Sequence, residues 1–238
     1  MGEDVVFLLA SFLAAIGATL AGFGSSMLLI PVAVSFFDLK MAVFLVACFH
    51  LFNNLFKIRI FWRKIDFKTF LLFGIPSIVF AFVGARFITV IPLDGVKTIL
   101  GVFLIGYAFF TLLKPTFSMR ENKANAFLGG GLSGFLAGLI GMGGAIRSSF
   151  LVAFNLPKEV YVGTSAMIAV VIDLTRIPTY LFTRAVEWNP YFMLIPFLVL
   201  SAYLGVRVGK ILLAKINQET FRRIVSVALL LAGLKIIF

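Results

Sequence analysis

Long apolar runs separated by short polar or glycine-rich interruptions fill this chain, and the runs predict helices rather than strands. The first run, Val5 to Phe37, is 33 residues long and is broken at Gly22-Phe-Gly-Ser-Ser26. Since about 20 residues span a bilayer, the pattern predicts a helix, a break, and then a short half-helix ending near Asp38. Further helices are expected over Met41–Phe56, Thr69–Ile88 and Thr98–Leu113, with a basic loop from Lys57 to Lys68 after the first of them. The polar stretch 114–125 reads as a linker. Beyond it the pattern returns: Ala126–Ile140, a break at Gly141-Met-Gly-Gly144, a half-helix over Ala145–Asn155, then helices over Gly163–Thr183, Asn189–Val208 and Phe221–Phe238.

The return is regular enough to read as a duplication. Gly22-Phe-Gly24 recurs 119 residues later as Gly141-Met-Gly143, and Gly84-Ala-Arg86 recurs 121 residues later as Gly205-Val-Arg207. The expected organisation is one membrane domain over 1–238, with repeat one at 1–113, a linker at 114–125 and repeat two at 126–238. Positive charge changes place between the halves. Repeat one concentrates it after its second helix (Lys57, Arg59, Arg63, Lys64, Lys68) and repeat two after its third (Arg207, Lys210, Lys215, Arg222, Arg223). Because basic residues mark cytoplasmic loops, the swap favours repeats of inverted orientation, which need an odd number of crossings in each half; four crossings in each half would make the repeats parallel.

Composition agrees with a membrane interior. The 238 residues are 61% hydrophobic and only 13% charged, against roughly 25% charged in soluble domains. The fold class expected is an all-α polytopic membrane protein with about eight transmembrane helices plus half-helices. The net charge of +11 is scattered between apolar runs, which suits headgroup anchoring and not a nucleic-acid face. An acidic amino terminus lacks the basic start of a signal peptide, so the first run is expected to stay in the membrane. The location expected is the cell membrane, plasma or inner, crossed many times.

Candidate chemistry gathers at the two breaks. Glycine lets the backbone unwind and a ligand approach it, and each half-helix then starts with free N–H groups and a positive dipole end. Gly22, Gly24, Ser25 and Ser26 at the first break, and Gly141, Gly143 and Gly144 at the second, are therefore candidate anion contacts. Arg147, in the first turn of the second half-helix, opposes that dipole unless an anion lies between them. Lys57, Asp173 and Arg176 are ionisable groups inside apolar runs, while Arg86 and Arg207 sit where side chains reach an interface. Asp173 could form a buried pair, a proton site or a tether. Asn53 and Asn54, one repeat earlier, and Thr164 and Ser165 are further polar candidates.

No enzyme is expected. Cys48 and His50 have no evident third partner, a metal cluster has no ligands, and the second break lacks the Lys-Ser/Thr of a phosphate loop. No cofactor and no nucleic acid are expected. The expected partners are a small anionic substrate, membrane lipids and, as an open alternative, further copies of the chain.

Two glycine breaks half a chain apart, the first followed by Pro31, with Gly163-Thr-Ser165 about twenty residues after the second, resemble the TauE/SafE sulfite exporter family over essentially the whole chain. The resemblance implies a secondary transporter or permease for small sulfur-containing anions such as sulfite or an organosulfonate, with its site between the repeats. The chain departs from that pattern at Ser25 and Ser26, where glycine is common, and at Phe150, the counterpart of Pro31. Arg147 has Leu28 at its first-half position. The alternatives are a channel or carrier for another small anion, such as a carboxylate, and a membrane scaffold that transports nothing.

Overall fold

The computed structural model describes residues 2–21, 24–88, 90, 93–113 and 122–237. Among these the chain forms ten α-helices. Eight have 18–25 residues: α1 (Gly2–Ala21), α3 (Leu39–Phe61), α4 (Phe67–Phe87), α5 (Leu93–Leu113), α6 (Lys123–Ile140), α8 (Lys158–Phe182), α9 (Ile195–Ala214) and α10 (Gln218–Ile237). Two are short, α2 (Ser26–Ala33) and α7 (Gly143–Ala153), and each follows a glycine break. Four segments, Leu39–Lys64, Phe67–Phe87, Lys158–Phe182 and Pro190–Ala214, are long and apolar enough to cross a membrane. Large apolar side chains such as Leu13, Ile75, Phe182, Leu200 and Ile211 point outward, as a lipid-facing exterior requires.

Boundaries follow local caps. Asp38 accepts from the Lys40 and Met41 N–H groups to start α3, Asp66 accepts from Lys68 N to start α4, and Asn122 accepts from Asn125 N to start α6. Consequently α6 begins at Lys123, three residues before the start expected from hydropathy. The basic loop also shrinks, since α3 runs to Phe61 and carries Lys57 inside it, fully buried.

Contacts set the directions of the helices. Ala18 near the end of α1 meets Lys57 near the end of α3, and Phe37, just before α3, packs edge-on to Phe7 at the start of α1. So α1 and α3 run the same way, and the segment holding α2 turns back between them. Lys64, after α3, pairs with Glu159 at the start of α8, while Phe44 near the start of α3 stacks on Phe192, beyond the end of α8. The central helices α3 and α8 are therefore antiparallel.

Two backbone-to-backbone contacts hold the flanks. On α6, a Cβ added at Gly130, Gly134 or Gly138 would lie 2.2 Å from the carbonyl oxygen of Phe73, Ser77 or Ala81 of α4. On α9, a Cβ at Gly205 would lie 2.4 Å from Ala15 Cβ, and one at Gly209 2.6 Å from Thr19 Cβ, both on α1. Only small residues allow such approach, and this is how helices associate where lipid supplies no hydrophobic drive.

Candidate functional site

At both breaks the backbone takes a conformation that favours glycine. Gly24 has φ +96° and Gly141 has φ +74°, a left-handed region that costs other residues about 1–2 kcal/mol. Gly22 lies outside the described residues. Just before each break stands a matching polar contact. Lys57 Nζ donates to Ala18 O at 3.2 Å, and Arg176 Nη1 donates to Ala137 O at 2.8 Å. A cation on the third helix thus caps the carboxyl end of the helix that is about to break, where its charge also complements the dipole. Lys57 and Arg176, expected as anion contacts, spend at least one donor each on this capping. Tyr180 Oη adds a hydrogen bond to Gly138 O.

The chemistry on α3 and α8 forms two facing stripes. His50, Asn53, Asn54 and Lys57 follow the i, i+3, i+4, i+7 spacing of one face on α3, and Ser165, Asp173 and Arg176, eight and then three residues apart, lie down one side of α8. His50 Nδ1 lies 2.7 Å from Asp173 Oδ2, and Arg176 Nε donates to Asp173 Oδ1 at 2.8 Å. All three side chains are buried. The sequence shows no third partner for Cys48 and His50; in the structure a carboxylate 123 residues away orients the histidine. Its other nitrogen, Nε2, has no partner.

Arg147 comes from α7 and is 1% exposed. Its Nε donates to Ser165 Oγ at 2.9 Å, whereas Nη2 has no partner. A point one Cβ bond above Gly24 lies 2.7 Å from His50 Nε2 and 3.3 Å from Arg147 Nη2. The first break, the histidine on α3 and the arginine on α7 therefore converge on one place. The Ser25 hydroxyl, beside Gly24, is also buried without a partner, as are the Ser148 hydroxyl next to Arg147 and both ends of the Asn53 amide.

The remaining candidates fall elsewhere or serve the frame. Thr164 accepts from Asp66 N at 2.9 Å and so ties α8 to the turn before α4. Asn54 Nδ2 donates to His50 O on its own helix. Gly143 is a packing glycine, because its Cβ would lie 1.9 Å from Ser133 O, and the Ser133 hydroxyl donates to Gly143 O. Gly144 and Ser26 are buried in the first turns of α7 and α2. Outside the centre, Arg207 lies over the Tyr203 ring and Arg86 over Phe82, both exposed at the periphery.

The charge inventory of the centre is lopsided. Among the described residues, the buried charges are Lys57, Arg147, Arg176 and Asp173. Asp173 neutralises Arg176, and Lys57 faces the carbonyl end of α1. Arg147 makes neither contact; the Asp173 carboxylate acts on it only from a distance and already pairs with Arg176. A buried cation costs at least about 2.5–3.5 kcal/mol at the centre of a bilayer, a cost that Arg147 offsets in part through its bond to the Ser165 hydroxyl.

An apolar shell around a buried, net-positive centre with helices broken on either side defines a multi-pass membrane protein built to hold a small solute, of the transporter class. The sulfite exporter TauE/SafE family matches residues 7–236, and the chain belongs to that family. It is 28% identical to the probable membrane transporter protein MJ0441 of Methanocaldococcus jannaschii, over 96% of this chain and 93% of that relative. It is 24% identical to the probable membrane transporter protein YunE of Bacillus subtilis, over 74% of this chain and 72% of that protein. The chain is accordingly a membrane transporter of the cell membrane.

Proposed function

We propose that this transporter exports a small sulfur-containing oxyanion, sulfite or an organosulfonate, bound between the two breaks by Arg147, His50, Ser25 and the backbone at Gly24. The observation that carries the reading is Arg147: a buried guanidinium with a free Nη2 aimed at the same point as His50 Nε2 and the Gly24 backbone. Charge-assisted donors converging from three segments suit an acceptor with several oxygens. Sulfur enters the reading through the family's description alone; the two relatives that match most of this chain are named as probable membrane transporters without a substrate.

Two inverted repeats, 1–113 and 126–238, are part of the proposal. Supporting it are the antiparallel α3 and α8 and the equivalent cation-to-carbonyl contacts of Lys57 and Arg176. Inverted repeats with a site at their interface alternate access by rocking one unit against the other. In this conformation the Arg147 and His50 side chains are sealed from solvent. A negative-inside potential favours exit of each negative charge by about 2.3 kcal/mol per 100 mV.

The deciding measurement is flux of radiolabelled sulfite and ethanesulfonate from proteoliposomes containing only this protein. Saturable flux of either anion supports the reading. Flux of carboxylates alone replaces the substrate class, and absence of flux for every anion with correctly inserted protein sinks the transport reading.

A further inference from the structure

The two orphaned nitrogens above Gly24 differ in kind. Arg147 Nη2 is a donor in every state. His50 Nε2 is a donor only when the ring carries two protons, and its tautomer is dictated by its other nitrogen. Asp173 accepts at Oδ1 from Arg176, 2.8 Å away, which marks it as an ionised, acceptor-only carboxylate. Its Oδ2, 2.7 Å from His50 Nδ1, therefore requires the proton of a neutral imidazole to sit on Nδ1. That leaves a lone pair on Nε2 pointing at the place where the oxyanion is to bind. Lone pair against anion is repulsive. The same nitrogen becomes a charge-assisted donor once it takes a proton.

From this geometry we infer that the protein binds a proton at His50 Nε2 together with each anion, so that the transported unit is an anion plus a proton. The inference rests on the anion-site reading above and adds a second transported species to it. The proton comes from solvent, the Nδ1–H···Asp173 bond persists, and no other bond changes.

The surroundings of the ring make the two events mutually dependent. The ionisable groups facing His50 are Asp173 and Arg176 from α8 and Arg147 from α7. On its own helix Lys57 is turned to the end of α1, and among the described residues the segment holding α2 brings Gly24 and Ser25 beside the ring. From α9, Arg207 and Lys210 face the outer groove beside Arg59, beyond Lys57. With the anion absent, a second proton on His50 would meet the Arg147 charge across the Gly24 backbone, with Asp173 already committed to Arg176. With the anion present, both cations face it. Each ligand therefore raises affinity for the other by the same factor. A monovalent sulfonate then crosses with no net charge and follows the pH gradient, while doubly charged sulfite retains one negative charge.

The test uses the full-length protein in detergent with ethanesulfonate, a strong-acid anion that does not itself titrate, at a series of pH values above and below the ordinary histidine range of about 6.5. Binding is measured by calorimetry in two buffers of different ionisation enthalpy, which counts protons taken up per anion. Expected are an uptake approaching one proton on the alkaline side, an affinity falling about tenfold per pH unit there, and no uptake well below that range. The variant His50→Gln is expected to bind at least tenfold more weakly, with no proton uptake and no pH dependence. Wild-type binding that is independent of pH and of buffer overturns the inference and leaves the anion site standing, as does a His50→Gln variant with wild-type uptake. Absence of ethanesulfonate and sulfite binding at every pH overturns the anion site itself, so the two failures are distinct.

Discussion

Replacing Arg147 by methionine separates a ligand-binding arginine from a structural one, because the two roles predict opposite changes in stability. Methionine keeps much of the volume and removes the charge. In the ligand-free protein the substitution relieves a buried cation that costs about 2.5–3.5 kcal/mol in a bilayer interior. It also deletes the Nε bond to the Ser165 hydroxyl, a hydrogen bond to a charged group worth about 1.5–3 kcal/mol. The two largely offset each other, leaving the free protein between marginally weaker and about 2 kcal/mol more stable, an upward shift of at most about 8 °C. Binding behaves differently. Truncating one partner of a desolvated charge pair costs about 2–5 kcal/mol, so the dissociation constant for sulfite or ethanesulfonate rises by about 30-fold to a few thousand-fold.

Thermal unfolding followed by intrinsic fluorescence, with and without anion, reads both quantities on one sample. The expected pattern is an unfolding temperature at or above wild type without anion, and no upward shift when anion is added. A variant that unfolds many degrees lower yet keeps wild-type affinity would refute the reasoning, because Arg147 would then be holding α7 against α8 and nothing more.

The remaining predictions address the frame and the breaks. Arg176→Met leaves Asp173 with His50 but without its guanidinium partner and is expected to cost about 3–5 kcal/mol in thermal unfolding; a loss comparable to that of Arg147→Met would contradict the pairing. Gly24→Ala puts a methyl 2.7 Å from His50 Nε2 at φ +96°, so anion affinity should drop at least tenfold, whereas Gly95→Ala, with nothing within 4 Å, should bind as wild type. Gly134→Leu forces apart α4 and α6, whose backbones meet there, and should abolish monodisperse protein in size-exclusion chromatography. Cysteines placed at Lys64 and Lys215 should both label with an impermeant maleimide from the same side of the membrane, with native Cys48 silent because it is buried; labelling from opposite sides would rule out inversion.

Helix order, the two breaks and the half-helices were legible in the chain because each has a local cause: a run of apolar residues, or glycines that end it. Arg147, Asp173 and Ser165 were legible too, since a polar group in an apolar helix stands out whatever it touches. Partnerships were not. His50 and Asp173 lie on different helices, and no periodicity links them; a lone histidine in an apolar stretch looks the same whether a carboxylate faces it or not. Gly143 and Thr164 failed in the other direction. Their residue types and places suit an anion, yet Gly143 is consumed by the Ser133 carbonyl and Thr164 by the turn at Asp66. Lys57 and Arg176 stood out as buried cations, but that each would cap the helix before the break depended on the way α1 and α6 run beside α3 and α8.

Duplication and function pull these residues in different directions. The contacts that recur in both halves, Lys57 with Ala18 and Arg176 with Ala137, act on helix ends. The residues that converge above Gly24 do not recur: the equivalent of Arg147 is Leu28 and that of His50 is Ala169, counting by the 119-residue offset of the breaks. Asp173 has Asn54 as its counterpart, and of that pair only the ionised carboxylate is acceptor-only, so that it dictates which histidine nitrogen carries the proton. A symmetric pair of such sites would place two arginines and two histidines in one small cavity, where like charges repel and a single anion could satisfy only half of them. One arginine and one histidine match one anion and one proton. On the inverted-repeat reading proposed above, rocking would expose two matched breaks alternately, and the unrepeated residues would form a single binding point between them.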